Sequence, residues 1–211
     1  MGKRLLVLMA HPDDAEILCY GTIRKYISAG WECRIAIATD GSRGACDRMK
    51  ETGAAFADVN VSICCLELED GNIQFSIDSI SRIRDEIDRY SPNCIITHFP
   101  ETSGIEHQDH IAVGKAVINS AFRTSGVLEK VLLAEPLLIS GTSFTANYYV
   151  DITDWYENKL MALSKHVSQK EKFYMSESFS DLRAHQYSHL LMDKDKSRCY
   201  EAFQALFVVE R

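Results

Sequence analysis

No run of lysine and arginine occurs in these 211 residues, and the formal net charge is −7 with a pI near 5.5. A nucleic-acid backbone is bound through clustered positive charge, so nucleic acid is not an expected partner. No apolar stretch approaches the roughly 20 residues that span a bilayer. Lys3 and Arg4 lead into a short apolar run that ends in charged residues. That run reads as a strand and not as an export signal, so neither membrane nor secretion is expected and the chain reads as cytoplasmic. No G-x-G-x-x-G or P-loop pattern follows any apolar run, which argues against a phosphate-cradling nucleotide domain. The seven cysteines are odd in number and contain no C-x-x-C pair. They read as reduced thiols, with Cys33, Cys64, Cys65 and Cys94 inside strand-like runs. No internal repeat, low-complexity tract or linker breaks the chain.

What is present is a core-forming composition, 46% hydrophobic, arranged in an alternation of strand-like and helix-like segments sized for one domain over residues 1–211. Apolar runs at 5–9, 33–39, 62–68, 93–98 and 130–135 predict strands. Three- and four-residue apolar spacing over 14–29, 76–90 and 109–123 predicts helices, with Gly30 closing the first, and a further helix is expected from about 45 to 58. Residues 147–152 read as a strand, Thr153 as the cap of a helix bearing Tyr156, Leu160 and Leu163, 168–191 as helical, 193–196 as a charged turn and 202–209 as a last strand. Strands alternating with helices imply right-handed parallel crossovers. The expected fold is a single-domain, Rossmann-like, three-layer α/β sandwich with a mostly parallel sheet.

Two polar clusters follow apolar runs: Ala10-His11-Pro12-Asp13-Asp14-Ala15-Glu16 after the first strand and His107-Gln108-Asp109-His110 after the fourth. In an open α/β sheet the carboxyl edge of the strands is where ligands bind, and both clusters belong to that edge. A catalytic zinc takes three protein ligands from His and Asp or Glu, which His11, Asp14 and His110 would supply. Asp13 is then placed to act as general base, His107 to donate to a developing oxyanion as an imidazolium, and Asp109 to orient a ligand imidazole. Taken alone, a His-Pro-Asp-Asp turn is more often a helix start capped by its carboxylate. The second cluster shifts the balance towards a site.

These residues resemble the LmbE-like, or PIG-L, family of zinc-dependent N-deacetylases, whose signature is a strand followed by A-H-P-D-D-A-E and a later H-x-D-H. The resemblance extends to Thr39-Asp40-Gly41 with Gly44, Arg48 with Glu51, Asp70-Gly71, Asp151-Ile152-Thr153, Lys159 with Ala162-Leu163, His166 with Ser168-Gln169, and Glu201-Ala202-Phe203. It implies His11, Asp14 and His110 as ligands of one zinc per chain, with other divalent ions competing by availability, Asp13 as base and His107 as electrostatic catalyst. It further implies a metal-bound water attacking the acetamide of a small N-acetylated substrate, an amino sugar or small glycoside. The sequence departs from the family pattern at Leu18, Tyr20 and Gln108, and Glu106 stands where several thiol-pathway relatives carry arginine.

Among other polar residues, Arg43 in the glycine-containing loop and His98 at the end of the fourth strand are candidate substrate contacts. Arg48 is expected to pair with Glu51 along one helix. His166, Ser168 and Gln169 are expected to fix a structural corner, and His185 and His189 to lie exposed. Two alternatives remain open: a hydrolase of a different acyl or carbamoyl amide, and a Rossmann-like domain that binds a ligand without chemistry. Whether copies of the chain form a homo-oligomer is not legible in the sequence.

Overall fold

The structure, a computed structural model, describes residues 2–41, 47–101, 106–124, 126–139 and 141–210. The Arg43 expectation therefore lies outside the described residues. Strands β1 (Arg4–Met9), β2 (Glu32–Ile37), β3 (Val61–Cys65), β4 (Cys94–His98) and β5 (Lys130–Ala134) are parallel, and β6 (Tyr148–Asp151) and β7 (Tyr200–Val208) complete one seven-stranded sheet. The order is β3-β2-β1-β4-β5-β7-β6, with β7 antiparallel to both neighbours. Successive side chains of a strand point to opposite faces, and β1 shows it: Leu5, Val7 and Met9 enter one core cluster, Leu6 and Leu8 the other. The first cluster is covered by α1 (Asp14–Ser28), α5 (Tyr156–Leu163) and α6 (Glu177–Leu190), the second by α3 (Ile77–Tyr90) and α4 (Gln108–Ala121). Two covered faces explain why β1 and β4 are buried without alternation, and they give the three layers expected from the sequence.

The strand order reverses direction between β1 and β4, because β1 continues leftward to β2 while β4 continues rightward to β5. Such a switch point opens a crevice at the carboxyl ends of the two strands. Both polar clusters begin there.

Helix α1 is interrupted at Cys19 (φ −152°, ψ 21°). The break frees backbone donors in a buried helix, and they are satisfied by one side chain: Gly21 N–H and Thr22 N–H donate to the Glu201 carboxylate at 3.1 and 2.7 Å. Lys159 of α5 balances that buried charge at 2.7 Å. Gly21 is required at the bend, since a Cβ there would sit 2.5 Å from Ile152 Cβ.

Three expectations are corrected. Thr153 does not cap α5; it opens a 3-10 turn (Thr153–Trp155), its hydroxyl donating to Asp151, and α5 starts at Tyr156. The stretch 168–191 is not one helix but two 3-10 turns (Val167–Gln169 and Phe173–Met175) followed by α6, because Ser176 takes the Phe179 N–H and starts a new helix. His185 is not exposed: its Nδ1 faces the Asp181 carbonyl and its Nε2 lies 3.4 Å from Cys199 Sγ, leaving only His189 of that pair in solvent. No described cysteine is in a disulfide, and no described helix is long and apolar enough to cross a membrane.

Gly114 lets α4 lie against the end of β4. A Cβ there would meet the His98 carbonyl oxygen at 2.6 Å and Pro100 Cα at 3.3 Å, both backbone. We expect Gly114→Ala to destabilise the fold by about 1–3 kcal/mol through overpacking, measured by thermal melting, even though alanine is the better helix former.

Candidate active site

The turn between β1 and α1 is built on a backbone that side-chain-bearing residues rarely adopt. Asp13 takes φ 144°, ψ −25°, a setting that costs of order 1–3 kcal/mol and persists only where the surroundings hold it. Its effect is to splay two consecutive carboxylates. Asp14 turns back to accept the His11 N–H at 2.7 Å, while its Oδ1 lies 3.3 Å from His110 Nε2. Asp13 faces the other way, with Oδ2 2.9 Å from Arg48 Nη2. Asp13 occupies the N-cap position without a side-chain cap bond, so the simple helix-cap reading of this turn is set aside.

Helix α4 brings in the second cluster. His107 is its N-cap, accepting the Asp109 N–H on Nδ1 at 3.2 Å. With Nδ1 accepting that N–H, Nε2 is the ring nitrogen left to donate. Burial and the nearby His11 and His110 rings also push its pKa down. Its side chain remains 43% exposed, against 9% and 8% for His11 and His110. One turn on, His110 is buried, with Nδ1 2.5 Å from Glu106 Oε1. Asp109, fully buried, accepts Gly71 N–H at 2.7 Å and Ile73 N–H at 3.0 Å, and its Oδ2 lies 3.2 Å from His11 Nε2.

His11 Nδ1, His110 Nε2 and the Asp14 carboxylate are mutually 3.1, 3.3 and 3.6 Å apart. Ligands about 2.0–2.1 Å from a tetrahedral zinc stand about 3.3 Å from each other, so these donors fit a divalent cation. A second grouping of His11, His107 and Asp109 also lies within reach of one ion, but its donors are spent: His107 Nδ1 on a backbone N–H, Asp109 on two backbone N–H groups and the far side of His11. The electrostatics agree with the first grouping. Burial opposes charge on His11 and His110, yet Asp109 and Asp14 for the one, Asp14 and Glu106 for the other, push them up to about 9 and about 10. The carboxylates thus favour positive charge at this spot, as a bound cation would supply. Burial and the Asp14 charge push Asp13 up to about 7, against the pull of Arg48.

The group forms the floor of a cavity of about 600 Å³, within the range of small-molecule sites. Of the residues singled out in the sequence, His11, Asp13, Asp14, His107 and His110 line it together. His98 does not: it is 3% exposed, accepts the Ala10 N–H at 2.9 Å and stacks on the His110 ring at 4.1 Å. It sits behind the His110 ring as a support. Arg48 corrects another expectation, since it crosses to Asp13 and the Pro12 carbonyl instead of pairing with Glu51. Asp70, 3.5 Å from His11 Nε2, and Glu106 went unassigned in the sequence, although the Asp-Gly turn and the Glu-for-Arg departure marked both positions.

This chain is similar to known proteins in both sequence and fold. The model of the PIG-L family, described as GlcNAc-PI de-N-acetylase, matches residues 6–121. Among curated proteins, the chain is 27% identical over 187 residues to the diacetylchitobiose deacetylase of Thermococcus kodakarensis, covering 79% of this chain and 70% of that one. It is 28% identical over 197 residues to the probable N-acetyl-α-D-glucosaminyl L-malate deacetylase 2 of Bacillus cereus, covering 81% and 86%. Among solved structures, GalB of Pseudomonas putida, a 4-carboxy-2-hydroxymuconate hydratase, superposes with a TM-score of 0.82 at 18% identity over 99% of both chains, a likeness of fold alone.

Proposed function

The chain belongs to the PIG-L family, and on that premise we propose that it is a zinc-dependent N-deacetylase of an amino sugar or a small amino-sugar glycoside. The observation that carries this reading is the set of three buried donors at tetrahedral spacing on a cavity floor, flanked by Asp13 and His107. Both curated relatives are deacetylases acting on N-acetylated sugar compounds by their names, which supports the substrate class.

His11, Asp14 and His110 would hold the cation, one per chain. When bound there it would supply Lewis-acid polarisation of the amide carbonyl and acidify water. Asp13, turned away from the ligands, takes the proton from the attacking water on its carboxylate and returns it to the leaving nitrogen. Arg48 holds that carboxylate in place from the opposite side. His107 donates from Nε2–H to the carbonyl oxygen as negative charge develops on it. Asp109 and Glu106 hold the far nitrogens of His11 and His110, which sets the ring orientation and raises ligand basicity. Acetate and a free amine are the products.

Acetate release from N,N′-diacetylchitobiose and from N-acetylglucosamine glycosides tests the reading. Release is expected to stop with chelator and to return with added zinc; chelator-insensitive release overturns the metal assignment. For Asp109→Asn we expect metal affinity to fall about 10–100-fold, measured by competition with a chromogenic chelator, with the fold retained because the amide oxygen still accepts one backbone N–H.

A further inference from the structure

Residues 164–176 join α5 to α6 through the two 3-10 turns and form one wall of the cavity, presenting Gln169, Lys172, Phe173 and Tyr174 to it. Phe173 is 56% exposed there, an apolar face left in water beside a polar catalytic floor. The wall has little regular hydrogen bonding of its own. Beyond its bonds to the flanking α5 and α6, its polar ties among the described residues run to two carboxylates. His166 Nε2 lies 2.9 Å from Glu16 Oε1 of α1, with both side chains at 0% exposure, and its Nδ1 faces Glu51 Oε2 of α2 (Arg48–Ala55) at 3.9 Å. Ser168 donates its N–H and its hydroxyl to the same Glu51, at 2.9 and 2.6 Å.

A buried histidine–carboxylate contact is weak as a source of stability; the attested use of such buried polar pairs is to fix register between elements. Here the elements so fixed are α1, whose first residue is Asp14, α2, whose first residue is Arg48, and the wall. We propose that residues 166–174 form the recognition subsite for the unit attached to the N-acetylated sugar, and that His166 is the positioning residue that seats this subsite against α1. The inference rests on the deacetylase reading of the floor and deepens it by assigning one wall of the cavity to the unit beyond the N-acetylated sugar. The apolar face of a pyranose ring, or of another aglycone, lies against Phe173, and the acetamide reaches the floor.

The test compares N,N′-diacetylchitobiose with N-acetylglucosamine as substrates of the zinc-loaded enzyme, alongside hydrogen exchange. For His166→Ala and Phe173→Ala we expect KM for the disaccharide to rise about 3–10-fold, the contribution of an aromatic contact, with kcat nearly kept and a smaller effect on the monosaccharide. In His166→Ala, exchange over 166–176 is expected to accelerate while β1 and β4 stay protected and one zinc per chain is retained. Ser168→Ala, a milder change, is expected to shift both readouts in the same direction and stands in if His166→Ala does not fold. Equal losses on both sugars through kcat, or unchanged exchange over 166–176, would overturn the proposal. If the wild-type chain deacetylates neither sugar, the deacetylase reading fails on its own, and exchange still decides whether His166 seats the wall.

Discussion

Replacing His110 with alanine is expected to remove both the metal and the activity, by about 10³-fold or more in kcat/KM, the equivalent of the several kcal/mol that Lewis-acid stabilisation supplies. The expectation follows from how much converges on this ring. Nε2 is within 3.1 Å of His11 Nδ1 and 3.3 Å of Asp14 Oδ1, Nδ1 is held by Glu106, and His98 is stacked on its face. Truncation leaves two donors where a catalytic zinc takes three. It also leaves the buried Asp14 and Glu106 without the ring that holds each of them below the usual carboxylate range against the opposing effect of burial. Zinc per folded chain, measured after gel filtration, separates metal loss from unfolding. Full zinc occupancy with activity within tenfold of wild type would remove His110 from the ligand set.

Asp13→Asn is expected to behave in the opposite way, keeping the metal and losing about 10²–10⁴-fold in kcat, the usual contribution of a positioned base. Asparagine is the informative substitution because the position sits at φ 144°, and Asn is among the few residues that tolerate positive φ. Shape and backbone are therefore preserved while the proton acceptor is lost. Arg48 loses its anionic partner at 2.9 Å but keeps the Pro12 carbonyl at 2.9 Å. Metal analysis and steady-state kinetics on the same preparation give the answer. Loss of zinc in this variant would exchange the roles of Asp13 and Asp14.

The two substitutions differ because of one dihedral angle. Adjacent aspartates on a regular helix would lie about 100° apart around its axis and share one environment. The positive φ at Asp13 directs its carboxylate towards α2 and that of Asp14 towards β4 and α4. The same backbone setting explains why no side chain caps α1.

Much of the architecture was legible in linear order. The strands came from short apolar runs ended by charge or proline, and α3 from isoleucines at 77, 80, 83 and 87. The placement of His11 and His107 just beyond β1 and β4 followed, since a parallel α/β chain must bring successive strand ends to one edge. Less was legible where an alternative local bond competes with helix periodicity. Thr153 has the sequence context of a cap but bonds to Asp151, and the helical-looking 168–191 is broken because Ser176 offers a new start.

By itself, then, the sequence determined the alternation of elements, the two apolar faces of the sheet and the position of both polar clusters at strand ends, because those depend on periodicity and chain order within a few residues. Tertiary structure alone decided the distant partners: Arg48 with Asp13 instead of Glu51, His11 as the ring that Asp109 holds, and His166 on Glu16 across 150 residues of chain. The physical reason is that a side chain three or four positions away on a helix is a neighbour by geometry, whereas a buried carboxylate takes whichever cation or N–H the packing delivers, and spacing along the chain does not encode that delivery.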